Sequence, residues 1–321
     1  MTQEPTPDEL ARAFGLTEIE PESLTPWATV LPGRSPGDRK VVVKRTADSR
    51  ERAEAMAAWT TAAERIGVPI VAPLSLARNN PQRVGDEWWV VYPFIDGDRY
   101  RGGERDARAA GDLLGRIHAA SFSRDITAAM RQYDFPDTSL ADVETDLSTL
   151  SRILPERLGD QAMPQVRDLG ERWWNESLPV LRQADAEAPL PRAALSSDFR
   201  ATNIVYSAQG VVLIDPDNGG YEPRLFDLAM AVVLFHREAD TAPARMFNAE
   251  EWFAFYSGYA RHITLTDRER QLWPHSLRHM LWEEGTWVLE DTDAAGWADA
   301  REHGYLSDLA FATAERYPLP L

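Results

Sequence analysis

Between Asp96 and Gly103 the hydrophobic rhythm of this 321-residue chain changes, and that change limits the folds open to it. Upstream, short apolar runs alternate with turn residues: "ATVLPG" and "RKVVVKR" surround a Gly/Pro/Asp turn at Pro32 to Asp38, and "VAPLSLA" and "EWWVVYPF" flank the turn-rich "RNNPQRVGD". Between these pairs, "SRERAEAMAAWTTAAERIG" has helical spacing, with Met56, Trp59, Ala63 and Ile66 on one face, Asp48 or Ser49 as cap and Gly67 as stop. Residues 5–20 show only weak helical periodicity. Downstream the period is helical over 104–121, about 139–185, 223–238, 248–262, 266–289 and 297–316, interrupted by the short strands "NIVYS" and "GVVLID". The pattern predicts an α+β chain of two lobes: residues 1–95 as a small antiparallel sheet with one helix, 96–103 as a Gly-rich connector, and 104–321 as a larger, mainly helical lobe.

Composition narrows the function classes. With 44% apolar residues the chain can bury a substantial core, while a net charge of −17 and a pI near 4.8 oppose binding to nucleic acid or an anionic membrane. No cysteine is present, which removes disulfides, thiolate nucleophiles and Cys-based zinc sites. No apolar run reaches the roughly 20 residues of a spanning helix, and the polar start does not resemble a secretory signal, so a cytoplasmic protein is expected. Lys40 and Lys44 are its two lysines, which makes a lysine at the end of "VVVK" informative.

The densest chemistry lies in "SSDFRATNIVYSAQGVVLIDPD", residues 196–217. Asp198 and Asn203 form a D-x-x-x-x-N frame on a loop entering a strand, and Asp215 follows an apolar run at a strand end. Phosphoryl transfer needs a base near the acceptor, oxygen ligands for Mg²⁺, and a cation for the phosphates. Asp198, Asn203 with Asp215, and Lys44 are residues of those types, and Glu54 or Glu51 on the following helix is a candidate partner for Lys44. Each fragment alone is common; their order in one chain carries the argument.

Taken together, "VVVKR", "AAGDLLGRIHAASF", the 196–217 block with its later "DLA" at Asp227, and "FYSGYARHITLTDRERQLWPHSLRHMLW" resemble the aminoglycoside phosphotransferase family, the small-molecule branch of the protein-kinase-like fold. The resemblance spans roughly 25–290. It implies ATP, or GTP, with Mg²⁺ as cofactors and direct transfer to a small-molecule hydroxyl. Residue by residue it implies Asp198 as base, Asn203 and Asp215 as metal ligands, Lys44 as phosphate-binding lysine with Glu54 as partner, and Asp227 as a structural brace. Backbone groups from Tyr92 through Phe94 to Ile95 would bind adenine. Glu283, Glu284 and Asp217 are candidate contacts to the acceptor, a cationic antibiotic such as an aminoglycoside; choline-, homoserine- or sugar-type kinases and a weakly active nucleotide-binding regulator are the alternatives. A monomer or homodimer is expected. The chain departs from the family pattern at Ser196, where His is usual, at Ala201 and Thr202, where Pro-Gly is usual, and in "SLTPWATV", a phosphate-covering segment without glycine.

Two further patterns read as structural. "GRSPG" matches G-x-S-x-G but leads into a strand, so it is a hairpin turn. His275 and His279 lie i, i+4 without a completing carboxylate, so they read as a satisfied pair.

Overall fold

The computed structural model describes residues 4–25 and 28–320. In chain order the elements are α1 (Pro7–Phe14), β1 (Glu18–Ile19), β2 (Val30–Ser35), β3 (Arg39–Arg45), α2 (Arg50–Arg65), β4 (Gln82–Val84) and β5 (Glu87–Pro93). There follow α3 (Glu104–Ala119), α4 (Arg124–Ala129), β6 (Arg131–Gln132), α5 (Leu140–Leu158), α6 (Ala162–Arg172), α7 (Leu178–Glu187), β7 (Arg192–Leu195), β8 (Ile204–Ser207), β9 (Gly210–Leu213) and β10 (Gly220–Pro223). The chain closes with α8 (Arg224–Leu234), α9 (Ala249–Tyr259), α10 (Asp267–Met280), α11 (Trp287–Asp291), α12 (Ala294–Ala298) and α13 (Ala300–Ala310).

The first five strands form one antiparallel sheet in the order β1-β2-β3-β5-β4. "GRSPG" ends β2 and enters the β2–β3 turn, Pro36 to Asp38, with Gly37 and Asp38 left-handed at φ 90° and 66°. Side chains alternate across a strand, and here the alternation builds the cleft. Val41, Val43, Trp89 and Val91 face a small core capped by Leu10 and Phe14 of α1. Lys44 is paired in register with Val90, and Val42 with Tyr92, so these residues share the opposite face. The expected single helix across the sheet is thus supplemented by a second, α1.

Two expectations for this half fail. "VAPLSLA" forms no strand, because Pro73 cannot donate to a ladder; its Leu74 N–H still reaches Val91 O at 2.9 Å. β4 falls instead inside the segment read as turn-rich, joined to β5 by the two-residue turn Gly85-Asp86. Helix α2 is capped by Ser49, whose side chain accepts from Arg52 N. Met56, Trp59 and Ala63 are buried as expected, but Ile66, beyond the last turn, is 57% exposed.

The helical half is built around α8, where every residue from Leu225 to Leu234 is buried. The stretch 139–185 is not one helix: it breaks after α5 at Gly159, with φ 81°, and again in the π-helical turn Trp173–Ser177. The short strands β6, β7 and β10 were not anticipated; β10 runs parallel to β6 and antiparallel to β7. Strand β7 leads directly into Ser196, Ser197 and Asp198, and the β8–β9 hairpin has Asn203 before it and Asp215 beyond it. Among the described residues no helix is long and apolar enough to cross a membrane.

Candidate active site

Lys44 is the link between the halves. Its Nζ lies 2.6 Å from Asp215 Oδ1 and 3.0 Å from Asp217 Oδ2. Burial works against the charge, yet Asp217 and Asp215 outweigh it and hold the ammonium above the ordinary lysine range. Asp217 also accepts from Thr46 Oγ1 at 2.9 Å and Tyr92 OH at 2.7 Å. The side chain of Asp217 is 6% exposed and that of Asp215 38%, so Asp217 is the buried anchor and Asp215 faces the cleft. The expectation of Asp217 as an acceptor contact therefore gives way: its oxygens are committed to the sheet.

The Glu54–Lys44 pair is not formed. Glu54 is exposed and bound to Arg50 at 2.8 Å. The reason is the rotation of α2, which turns Met56 and Trp59 inward to pack at Gly219, where an added Cβ would lie 2.7 Å from Trp59 and 3.0 Å from Met56. Glu54 then points away, as does the alternative Glu51, which is exposed.

Register brings the other predicted residues together. Ile204 pairs with Leu213 across the hairpin, and Ile214 N–H donates to Asn203 O at 2.8 Å, which sets Asn203 beside the strand end that carries Asp215. Asn203 Nδ2 donates to Asp198 O and to Asp198 Oδ2, each at 2.9 Å. Asn218, three residues past Asp215, reaches Asp198 Oδ2 at 3.4 Å. Asp198 follows Ser197, held left-handed at φ 51°, and Ser196 is buried with no hydrogen-bond partner for Oγ. A continuous run of contacts thus leads from Lys44 through the 215–218 loop to Asp198 and Asn203.

The sequence profile of the phosphotransferase enzyme family matches residues 34–263. The chain belongs to that family. No curated protein matches the chain. Among solved structures, an aminoglycoside phosphotransferase from Alicyclobacillus acidocaldarius is 16% identical over 97% of this chain and 95% of its own, at a TM-score of 0.67. A microcompartment-associated aminopropanol kinase follows at 14% identity, 97% and 96% coverage and a TM-score of 0.63. An amicoumacin kinase in complex with AMP-PNP, Ca²⁺ and Ami has 15% identity, 97% and 93% coverage and a TM-score of 0.60. These likenesses show the fold: two lobes of the kinase-like type, an antiparallel sheet above a helical body.

In this phosphotransferase-family chain the cleft between the lobes carries an apolar cluster of Val71, Val90 and Tyr92, with Ile95, Val212 and Ile214 against it. Such a sandwich, sheet above and hairpin below, offers an apolar lining of the kind that small-molecule sites use. Of the backbone groups expected to meet adenine, Phe94 N–H is already donated to Lys40 O at 3.3 Å, and Tyr92 lies within the β3–β5 ladder, leaving Ile95 at the cleft. The Pro26 and Trp27 of the phosphate-covering segment lie outside the described residues; around them Ser23 Oγ accepts from Val30 N–H at 3.0 Å and donates to Thr25 O at 2.8 Å. The donor set suits Mg²⁺. Asn203 Nδ2 is fixed on Asp198, so its amide oxygen is turned away from that residue, and Asp215 offers one cleft-facing carboxylate. Magnesium is commonly held by one or two carboxylates, with waters and phosphates completing its shell. Among the described residues no group of three or more His, Asp or Glu gathers as a metal cage.

Glu283 and Glu284 lie in a second π-helical turn, Leu281–Thr286, after α10. Burial, with Glu284 and then Asp146 beside it, pushes the Glu283 carboxyl up to about 7. Burial first, then the charge of Asp198, raises the Glu284 carboxyl, while Arg237, Arg200 and Arg131 act the other way. Asp227, expected to brace the loop, instead accepts from His118 Nε2 at 2.9 Å, and His118 Nδ1 meets Tyr259 OH at 3.1 Å, tying α8, α3 and α9. His279 is likewise structural: Trp173 Nε1 donates to its Nδ1 at 2.9 Å and Tyr133 OH lies 2.7 Å from its Nε2.

Reading the sequence missed Arg200. Its Nη2 donates to Asp198 Oδ2 at 2.9 Å and its Nε stands 2.6 Å from Oδ1. The available signal was a cation two residues beyond the D of D-x-x-x-x-N.

Proposed function

We propose that the chain transfers the γ-phosphoryl group of ATP to a hydroxyl of a small, amine-bearing alcohol. The observation that carries this reading is the run of contacts from Lys44 through Asp215 and Asn218 to Asp198, which gathers a phosphate-binding cation and a carboxylate base at one cleft. In the reaction the acceptor oxygen bonds to the γ phosphorus, the bond to the β,γ-bridging oxygen breaks, ADP leaves, and the hydroxyl proton passes to Asp198. Lys44 offsets charge on the phosphate oxygens. Mg²⁺, held by Asn203 and Asp215, would neutralise charge between the phosphates. GTP is a possible second donor for the same cleft, and dependence on a nucleoside triphosphate is the basis for a cytoplasmic setting.

The acceptor class rests on Glu283 and Glu284, adjacent carboxyls in the turn after α10, the second within electrostatic reach of Asp198, an acidic wall suited to ammonium groups. The aminopropanol kinase, whose name describes an amino alcohol, is in keeping with it. Purified protein with MgATP or MgGTP is to be screened against aminoglycosides, peptide antibiotics, amino alcohols, homoserine, macrolides and sugars, with ADP or GDP release as readout. Turnover with an amine-bearing alcohol is the expected result, lost by orders of magnitude in Asp198→Ala while MgATP still raises the melting temperature. Turnover that survives Asp198→Ala would remove that residue from its role, and turnover with neutral sugars alone would remove the amine.

A further inference from the structure

Arg200 is held at both ends. On one side its Nη2 donates to Asp198 Oδ2 at 2.9 Å with Nε in ion-pair contact with Oδ1; on the other its Nη1 donates to Glu238 Oε2 at 2.9 Å. All three side chains are largely buried, at 19%, 13% and 18% exposure for Arg200, Asp198 and Glu238, so water screens little of this triad. The loops beneath are joined as well, because Ala201 N–H donates to Phe235 O at 2.9 Å. Glu238 also receives Arg237, at 3.3 Å, whose guanidinium lies over the Trp287 ring at 5.0 Å. The carboxylate of Glu238 is therefore tied to two arginines, only one of which touches the catalytic loop.

The backbone of Glu238 sharpens the point. It sits at φ 58°, four residues past the end of α8, in the left-handed conformation that side-chain-bearing residues rarely adopt. A glutamate kept there is strained by its Cβ, so its carboxylate is the part of the residue that the position uses. Strained residues gather where geometry must be held for function, and Ser197, at the other end of the same triad, is left-handed too.

We propose that Glu238 is a positioning residue: through Arg200 it fixes the orientation of the Asp198 carboxylate, which the loop alone would leave free to turn. Arg200 has separate donors at fixed angles for the two carboxylates, which the point charge of a lysine does not supply. Asn203 Nδ2 and Arg200 Nη2 both donate to Asp198 Oδ2, so the brace and Asn203 hold one oxygen of the carboxylate together. The inference rests on the assignment of Asp198 as base.

The test has two readouts. Glu238→Gly relieves the backbone and removes the carboxylate; Glu238→Gln keeps the accepting oxygen. With MgATP and the best acceptor from the screen above, Glu238→Gly should lower kcat by about 10- to 100-fold, as expected for a slackened catalytic group. KM for ATP should stay within about threefold, and the melting temperature should fall while the protein stays folded at assay temperature, since backbone relief offsets only part of the lost ion pairs. Glu238→Gln should recover most of the loss, and Arg200→Lys should reproduce it. An unchanged kcat in Glu238→Gly, or a loss carried by KM alone, would overturn the proposal. Independently of turnover, the Nη1–H signal of Arg200, which faces Glu238 and is assigned by its disappearance in Arg200→Lys, should exchange with water at least about tenfold faster in Glu238→Gly than in the parent. Equal protection would overturn the brace. A parent protein inert toward every acceptor would instead sink the phosphotransfer reading, and the arginine signal would still decide whether Glu238 holds Arg200.

Discussion

Asp215 and Asp217 touch the same ammonium, yet substitution should separate them. Asp217 is enclosed by Lys44, Thr46 and Tyr92, so Asp217→Ala strands a buried cation and two hydroxyl donors; breaking a buried pair of this kind costs about 3–5 kcal/mol. Asp215 is half open to the cleft, and Asp215→Ala should cost about 1 kcal/mol at most. Urea denaturation at pH 7 should show that ranking, while turnover is abolished by either change. Equal stability losses would refute the division into anchor and ligand. The residues read correctly as neighbours are those whose separation is set by a short hairpin: once "NIVYS" pairs with "GVVLID", Asn203 and Asp215 must lie together. Glu54 was misplaced because a helical period tells which residues share a face but not which way the face points. Asp217 was misjudged for a related reason, since it lies on an irregular loop with no alternation to reveal its direction.

At the scale of elements, α3 and α9 meet through glycine. A Cβ on Gly111 would stand 1.9 Å from Phe255 O, and one on Gly258 would stand 2.0 Å from Arg108 O, so each backbone occupies the space a side chain would need. Alanine favours a helix over glycine by about 1 kcal/mol, but forcing packed backbones apart costs about 3 kcal/mol. Gly111→Ala should therefore destabilise the fold by about 2 kcal/mol in urea titrations, the clash exceeding the propensity gain. Gly285→Ala is the control: its added Cβ would meet Leu309 at an ordinary 3.4 Å, and stability should hold or rise. A stabilised Gly111→Ala would mean that the two helices can separate freely. Long periodic segments such as 104–121 and 248–262 were legible because the apolar stripe repeats often enough to be seen. Strands of two to four residues, β6, β7 and β10, repeat too little to leave a period, and the π-helical turns inside 139–185 and 266–289 insert a residue without disturbing composition.

For the whole molecule, burial sets two families of groups against each other as pH changes. His236 and His279 are buried and held down to about 4 and about 3, so the folded state resists protonating them. Their contribution grows as pH rises and is complete above the ordinary histidine value of 6.5. Glu283 and Glu290 behave oppositely. Burial first, with Glu284 and Asp146 for Glu283 and Asp146 for Glu290, raises each to about 7 against an ordinary 4.5. Between those values the folded chain holds protons that the unfolded chain has released, so stability falls as pH rises through that window and levels above it. The two slopes cancel in part below pH 6.5; from there to about 7.5 the glutamates act without opposition from the histidines. Thermal melts across that interval should decline in the parent, and Glu283→Gln should flatten the decline, melting higher than the parent at pH 8 and equal to it at pH 4.5. A cationic acceptor favours the ionised carboxyls, so its stabilising effect should be larger at pH 8 than at pH 5.5, steepest where the free protein is losing stability. An unaltered slope in Glu283→Gln would show that this turn of α10 is too well solvated to hold a proton near neutrality, and with it the acidic wall would lose its claim on an ammonium group.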